Sequence, residues 1–219
     1  MLCDFKGRLL RQTKIGGSMS YRACGNRCCV DFDDLGLPIT PTEAIQVLVK
    51  AGFKSIEVDL IELARQCVES ATYHRGARLH EAPKVFDCSS LTKWLYAQKG
   101  IWLPRRSIQQ REFGSPVEIL DIQAGDVVFV SGRIDYFLVD PNDGVGHVGI
   151  ASGDRTVIHA ANRKAGIIES SLESFVGDPA DLRGIRRYVT NSRVYTFETP
   201  PEREIEWSDD LKWVILQRL

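Results

Sequence analysis

Cys88 opens the segment DCSSLTKWLYAQKG, in which Leu91, Trp94 and Leu95 share one helical face and Gly100 lies just past the end. A thiol in the first turn of a helix feels unpaired backbone N–H groups and the positive end of the helix dipole, which favour the thiolate and lower the pKa. Amide hydrolysis by that thiol needs an imidazole to take and return its proton, and a third polar group to fix the ring's tautomer and orientation. Four histidines are available. His74 and His80 sit in an irregular stretch before the cysteine, whereas His147 and His159 lie on two strand-like runs joined by a Ser-Gly-Asp-Arg turn. Strand side chains alternate, so the two rings share a hairpin face if paired positions have an even sum, which an odd-length loop around Gly153 provides. Directly opposite partners would have Cβ atoms about 5 Å apart, within reach of an imidazole-to-imidazole hydrogen bond. Taken alone, a strand histidine is ordinarily a half-buried structural residue. Two on one hairpin beside a helix-start cysteine make a candidate nucleophile, base and orienting group.

The flanking sequence specifies the helices and strands around these residues. Thr40 caps a helix with Pro41 at its first position, Glu43 three residues after the cap, Ile45, Leu48 and Val49 at helical spacing, and Gly52 as the stop. A second helical pattern runs through Val58, Ile61, Ala64, Val68 and Ala71 and breaks near Gly76. After the cysteine helix come β-type runs at Asp126 to Val130, Val145 to Ala151, Thr156 to Ala160, Gly166 to Ser170 and Ile185 to Val189. Helices first and strands after predict an α+β domain with an antiparallel sheet, over residues 40–190. Residues 1–39, rich in Gly, Arg and Cys, are expected to be an irregular leader. Residues 191–219 form an extension with a strand at Val194 to Phe197 and an amphipathic helix carrying Trp207, Leu211, Val214 and Ile215.

Composition excludes several partners. With 28 basic and 29 acidic residues spread along 219, the net charge of −1 leaves no electrostatic footprint for nucleic acid or anionic lipid. No apolar run approaches membrane-spanning or signal-peptide length, so neither a membrane span nor an export signal is expected, leaving a cytoplasmic location or leaderless export. Six cysteines are too few for a disulfide framework in a chain this long. Cys24, Cys28 and Cys29 match no common zinc spacing, Cys67 reads as a small core residue, and no metal site or cofactor is expected.

The residues resemble the NlpC-type peptidases (the NlpC and p-sixty family), papain-like cysteine peptidases of bacterial cell walls. The resemblance runs through Asp87-Cys88-Ser89-Ser90-Leu91, Leu103-Pro104-Arg105-Arg106-Ser107 with Gln110, Ala124-Gly125-Asp126-Val127-Val128-Phe129, Gly146-His147-Val148-Gly149-Ile150 and Ile158-His159-Ala160. It covers about Val58 to Val189. It implies a papain-like fold, N-terminal helices packed on a small antiparallel sheet. It further implies Cys88 as nucleophile, His147 as base, His159 as orienting group, and cleavage of an amide bond in a peptidoglycan stem peptide, γ-D-glutamyl to diamino acid. In the family a Tyr before the nucleophile lines the cleft. Tyr73 with Gly76 is similar, although the usual Trp-Gly-Gly ending is missing, and a core aromatic is the alternative. Asp87 and Ser89 correspond to residues that in some relatives hold the free amine of a stem peptide, with helix capping as the alternative. The loop SGRIDYFLVDPNDGV, between Phe129 and Gly146, is longer than the family pattern, and a loop at a cleft rim can reshape specificity. Rival readings are a papain-like acyltransferase or thioesterase, distinguished by a hydrophobic tunnel instead of a polar open cleft, a non-catalytic binding module, and a zinc-binding protein built on the leader.

Overall fold

Thr40 and Glu43 exchange bonds as the sequence dictates: the Glu43 N–H donates to Thr40 Oγ1 at 3.3 Å and the Thr40 N–H donates to Glu43 Oε2 at 2.8 Å, starting the helix Pro41–Lys50. Asp59 caps the helix Leu60–Ser70 with its side chain alone, accepting the Ile61 and Glu62 N–H groups at 2.9 and 3.0 Å, and Cys88–Gln98 forms the third long helix. The computed structural model describes residues 14–15, 18–189 and 193–219. The chain is divided into two compact units.

The first unit takes in residues 59–95 and 104–189. Its sheet has six antiparallel strands in the spatial order Gly166–Ser171, Thr156–Asn162, His147–Ala151, Val127–Val130, Leu182–Arg187 and Ser115–Pro116. This is the expected α+β arrangement with an antiparallel sheet. Val127–Val130 is buried at every position because it lies in the middle of the sheet with both faces covered, so no alternation marks it in the sequence. The last long strand begins at Leu182, not Ile185, because its register is set by Val128 opposite Ile185 and Val127 opposite Arg186. Val128, Val130, Val157, Leu172, Phe175 and Ile185 make the core on one side, and the helix Leu60–Ser70 packs against the Gly166–Ser171 edge, where Arg65 pairs with Glu169 at 3.3 Å.

The second unit takes in described residues from 14 to 58, 96–103 and 193–219. Two expectations change here. The presumed leader contains a five-residue strand, Arg27–Asp31, and the helical turn Phe32–Leu35; and the helix Pro41–Lys50, expected within a 40–190 domain, belongs with them. Arg27–Asp31 was hidden because four of its five residues are buried on alternate faces at once, which leaves no polar–apolar alternation to read. Its partner is Val194–Glu198, the central strand of a three-stranded antiparallel sheet completed by Lys54–Ile56. The C-terminal helix spans Asp210–Leu216, with Leu211, Val214 and Ile215 turned into a core with Val30, Phe32, Leu48 and Phe197; Trp207 lies before it, bridged to Arg22. Among the described residues no helix is long and apolar enough to cross a membrane.

Candidate active site

Cys88 is the first residue of its helix, and the preceding residue caps it: Asp87 Oδ1 accepts the Ser90 N–H at 2.8 Å. The hairpin that carries the histidines pairs Val157 with Ala151 and Ile158 with Ile150, so paired positions have the even sum required for one face. Continued by one step, that register sets Gly149, not His147, opposite His159. His147 is therefore the diagonal neighbour, and the missing side chain at Gly149 gives its ring room to lean across. A Cβ at Gly149 would come within 2.4 Å of Val157 Cγ1 and 3.0 Å of His159 Cβ. Gly149→Ala is expected to destabilise the protein by about 1–3 kcal/mol through overpacking, read as a lower urea midpoint. An unchanged midpoint would mean that the hairpin has slack the packing does not suggest.

His147 Nε2 and His159 Nδ1 lie 2.8 Å apart, and His159 Nε2 lies 3.1 Å from Ser170 Oγ on the neighbouring strand. Phe175 covers both rings, with centroids 5.4 Å from His147 and 4.8 Å from His159. Ser170 and Phe175 were not singled out from sequence, since nothing local marks a serine on a third strand or an aromatic in a short helix as neighbours of these histidines. A single cleft of about 820 Å³ is lined by Cys88, His147 and His159 together with Tyr73, Asp87 and Ser89. All six candidate residues thus meet in one place, and the other two histidines do not line it.

The carboxylate of Asp87 is heavily engaged. Besides the cap, it accepts the Gly76 N–H at 3.0 Å and a fork from Arg105 at 3.1 and 2.5 Å; Arg105 also reaches Ser89 Oγ at 2.9 Å. Those bonds fill most of its acceptor capacity, which favours capping and positioning over capture of a free amine. Gln110, buried, ties Thr92, the Ser89 carbonyl and the Pro104 carbonyl together and so braces the segment that carries Arg105 against the Cys88 helix.

Burial governs the titration of the site. It pushes the Cys88 thiol up to about 11, assisted by the Asp87 carboxylate and opposed by the Ser89 and Val148 N–H groups and by Arg105. The lowering expected from the helix start is overridden, because that effect prevails only where the thiolate also keeps its solvation. Burial likewise lowers His147 to about 4, and burial followed by the charge of His147 lowers His159 to about 3. Both rings are uncharged at neutral pH.

An unfolded histidine titrates near 6.5, so below that pH the unfolded chain binds more protons than the folded one. The stability carried by the neutral rings is present in full above about 6.5 and drains away as the pH falls toward about 4 for His147 and about 3 for His159. Urea midpoints measured from pH 7 to pH 4 are expected to fall, with a shallower slope in His147→Gln. Parallel slopes would show that His147 is not held neutral.

The cysteines of the second unit do not assemble a metal site: Cys28 and Cys29 are successive on one strand and point to opposite faces. Burial raises the Cys28 thiol to about 11 and the Cys29 thiol well above its usual range. Among the described residues no cluster of three or more His, Cys, Asp or Glu could hold a metal ion.

A family model described as NlpC/P60 family matches residues 71–181, just over half of the chain. The chain belongs to the NlpC/P60 family. The matched stretch contains all six candidate residues and the whole 131–145 loop. A probable endopeptidase of Corynebacterium glutamicum is 46% identical over 115 residues, covering 52% of this chain and 47% of that protein. A γ-D-glutamyl-L-lysine dipeptidyl-peptidase of Bacillus cereus is 35% identical over 107 residues, covering 48% of this chain and 29% of that protein. The solved structure of NlpC1 from Trichomonas vaginalis is 25% identical with a TM-score of 0.48, covering 62% of this chain and 46% of that one. This chain matches about half the length, or less, of these NlpC/P60 relatives.

Proposed function

We propose that this chain is a cysteine peptidase acting on peptidoglycan stem peptides, at the amide between a γ-D-glutamyl residue and a diamino acid. The observation that carries the reading is the relay of Ser170, His159 and His147 at 3.1 and 2.8 Å in the cleft that Cys88 lines. His147 uses Nε2 toward His159, which leaves Nδ1 for the thiol. A proton on His147 Nε2, donated to His159 Nδ1, keeps Nδ1 an acceptor, and His159 then donates from Nε2 to Ser170.

From the neutral pair, His147 Nδ1 takes the thiol proton as Sγ attacks the carbonyl carbon. The resulting oxyanion is stabilised by helix-start N–H groups, of which that of Cys88 has no carbonyl partner within the helix. The C–N bond breaks as the imidazolium protonates the leaving amine, giving a thioester. Water then attacks with His147 as base, and the C–S bond breaks to release the carboxylate and restore the thiol. Asp87 and Arg105 hold the nucleophile's turn in place, and Tyr73 and Ser89 line the wall beside it.

The γ-glutamyl bond is favoured by the Bacillus cereus relative and by a second one, a γ-DL-glutamyl hydrolase of Bacillus subtilis that is 33% identical over 127 residues, 52% of this chain and 29% of that protein. Four arginines among the lining residues support a polar substrate over an acyl lipid. Mass spectrometry of γ-D-glutamyl-L-lysine and γ-D-glutamyl-diaminopimelate peptides after incubation tests the reading. Free diamino acid is expected; intact peptides alongside turnover of an acyl ester would favour the acyl-transfer alternative.

A further inference from the structure

The charge around the cleft is out of proportion to that of the chain. Net charge is −1 over 219 residues, yet the cleft is lined by four arginines, Arg75, Arg105, Arg106 and Arg133, and one carboxylate, Asp87. Asp87 and Arg105 neutralise each other at 2.5 Å. The other three form no ion pair with a carboxylate among the described residues. An excess of one sign along a concave wall focuses the field on whatever enters.

Two of the three are gathered by one side chain. Arg75 Nη2 donates to Tyr136 Oη at 3.2 Å, and the Arg106 guanidinium lies 5.1 Å from the centroid of the same ring. Arg75 stands in the segment where the Trp-Gly-Gly ending is missing, and Tyr136 stands on the long 131–145 loop, so the two departures from the family pattern meet here. The loop is built to hold that tyrosine. Tyr136 and Val145 exchange backbone bonds at 3.1 and 2.9 Å, and the Asp135 carboxylate accepts from Ser131 Oγ and the Gly132 N–H, both at 2.7 Å. Asp143 takes a fork at 2.7 and 2.5 Å from Arg111, a buried arginine. Asp140 is spent capping Asn142 at 2.9 Å. Each acid of the loop is thus hydrogen-bonded within the fold, Asp143 to a cation and Asp135 and Asp140 to neutral donors, while its one cation, Arg133, is exposed at the cleft.

We propose that Arg75, Arg106 and Arg133, arranged around Tyr136, form a carboxylate-binding subsite at the cleft rim that selects peptides with a free carboxylate near the scissile amide over the corresponding carboxamides. The proposal rests on the peptidase reading for the identity of that amide. A guanidinium offers a planar pair of N–H donors that fits a carboxylate and has nothing equivalent to gain from an amide group. The free α-carboxylate of a γ-linked glutamyl unit has the required chemistry, and it occurs both in stem peptides and in γ-linked glutamate oligomers. The subsite is exposed, so its selectivity weakens as salt rises.

The test separates binding from turnover by using Cys88→Ala protein in calorimetric titrations. The probes are γ-D-glutamyl-L-lysine with a free α-carboxylate, its α-carboxamide, and a γ-linked glutamate oligomer, each at low salt and at high salt. The carboxylate peptide is expected to bind about tenfold more tightly than the carboxamide, with Arg75→Gln, Arg106→Gln and Arg133→Gln each cutting that preference about threefold. Tyr136→Phe, which keeps the ring beneath Arg106 but loses the bond to Arg75, is expected to fall between wild-type and Arg75→Gln selectivity. Tighter binding of the oligomer than of the dipeptide assigns the polymer as the source; the reverse assigns the stem peptide, and either supports the subsite. Equal binding of carboxylate and carboxamide, or a preference that survives all three arginine substitutions in circular-dichroism-verified folded protein, overturns it. If wild type cleaves both peptides at equal rates, the subsite falls and the peptidase stands. Selective binding without any cleavage by wild type removes the peptidase reading and leaves the subsite.

Discussion

Cys88→Ala is expected to reduce hydrolysis of a γ-D-glutamyl stem peptide by about 10⁴-fold or more, and His147→Asn to come close to the same loss, because residues that act as a unit fail together. The two substitutions remove different things. Alanine at 88 deletes the atom proposed to form the thioester. Asparagine at 147 keeps a polar side chain of similar reach but cannot accept and return a proton at neutral pH. The demand on His147 is sharpened by burial: with the thiol pushed up to about 11 and the imidazole held near 4, there is no standing thiolate for the enzyme to draw on. Proton transfer to His147 is then expected to accompany attack. Alkylation of Cys88 by iodoacetamide at neutral pH is therefore expected to slow in His147→Ala, even though the thiol itself is untouched. Substantial peptide cleavage by either variant, in protein with an unchanged circular dichroism spectrum, would remove the mechanism.

The second large effect separates the two histidines. If His159 serves only to hold the ring of His147, then His159→Asn or His159→Gln, which keep a hydrogen-bonding group, should retain more activity than His159→Ala. His147→Asn should remain as inactive as His147→Ala. A loss of about 10²–10³ is expected for His159→Ala, less than for the base itself, since the nucleophile and the oxyanion donors stay in place. The geometry behind this is the 2.8 Å contact between His147 Nε2 and His159 Nδ1 and the onward contact to Ser170 at 3.1 Å. Rates of all five variants on one stem peptide decide the matter. Equal losses in His159→Asn and His147→Asn, or full activity in His159→Ala, would mean that the third member lies elsewhere.

The parts of the fold that were legible in the sequence are those specified by neighbours in the chain. The Thr40–Glu43 capping box, the Cys88 helix and the Val127–Val130, His147–Ala151 and Thr156–Asn162 strands all carry local signals, and each forms within a few residues of where those signals stand. What could not be read depends on partners far away in sequence. Arg27–Asp31 becomes a strand because Val194–Glu198 pairs with it, and buried Cys28, Cys29 and Val30 give no alternation to betray it. Within the cleft the residue types of Cys88, His147 and His159 were visible, but Ser170 and Phe175 come from a third strand and a short helix that only the tertiary fold brings in. The even-sum rule for the hairpin put both rings on one face, and the diagonal offset across Gly149 followed from a register that no local residue specifies. The titration of Cys88 reversed for a similar reason: the helix start is a property of sequence, while burial is a property of the whole fold.

Acid quenching during turnover, followed by peptide mapping in a mass spectrometer, observes the bond that the proposed mechanism says must form. With a γ-D-glutamyl-L-lysine stem peptide as substrate, the peptide containing Cys88 should gain the mass of the acyl fragment as a thioester that disappears on treatment with hydroxylamine. The same adduct should be missing from the peptides containing Cys24, Cys28, Cys29 and Cys67. Cleavage of the substrate with no acyl group on Cys88 at any quench time, or with the group on another cysteine, would contradict the account.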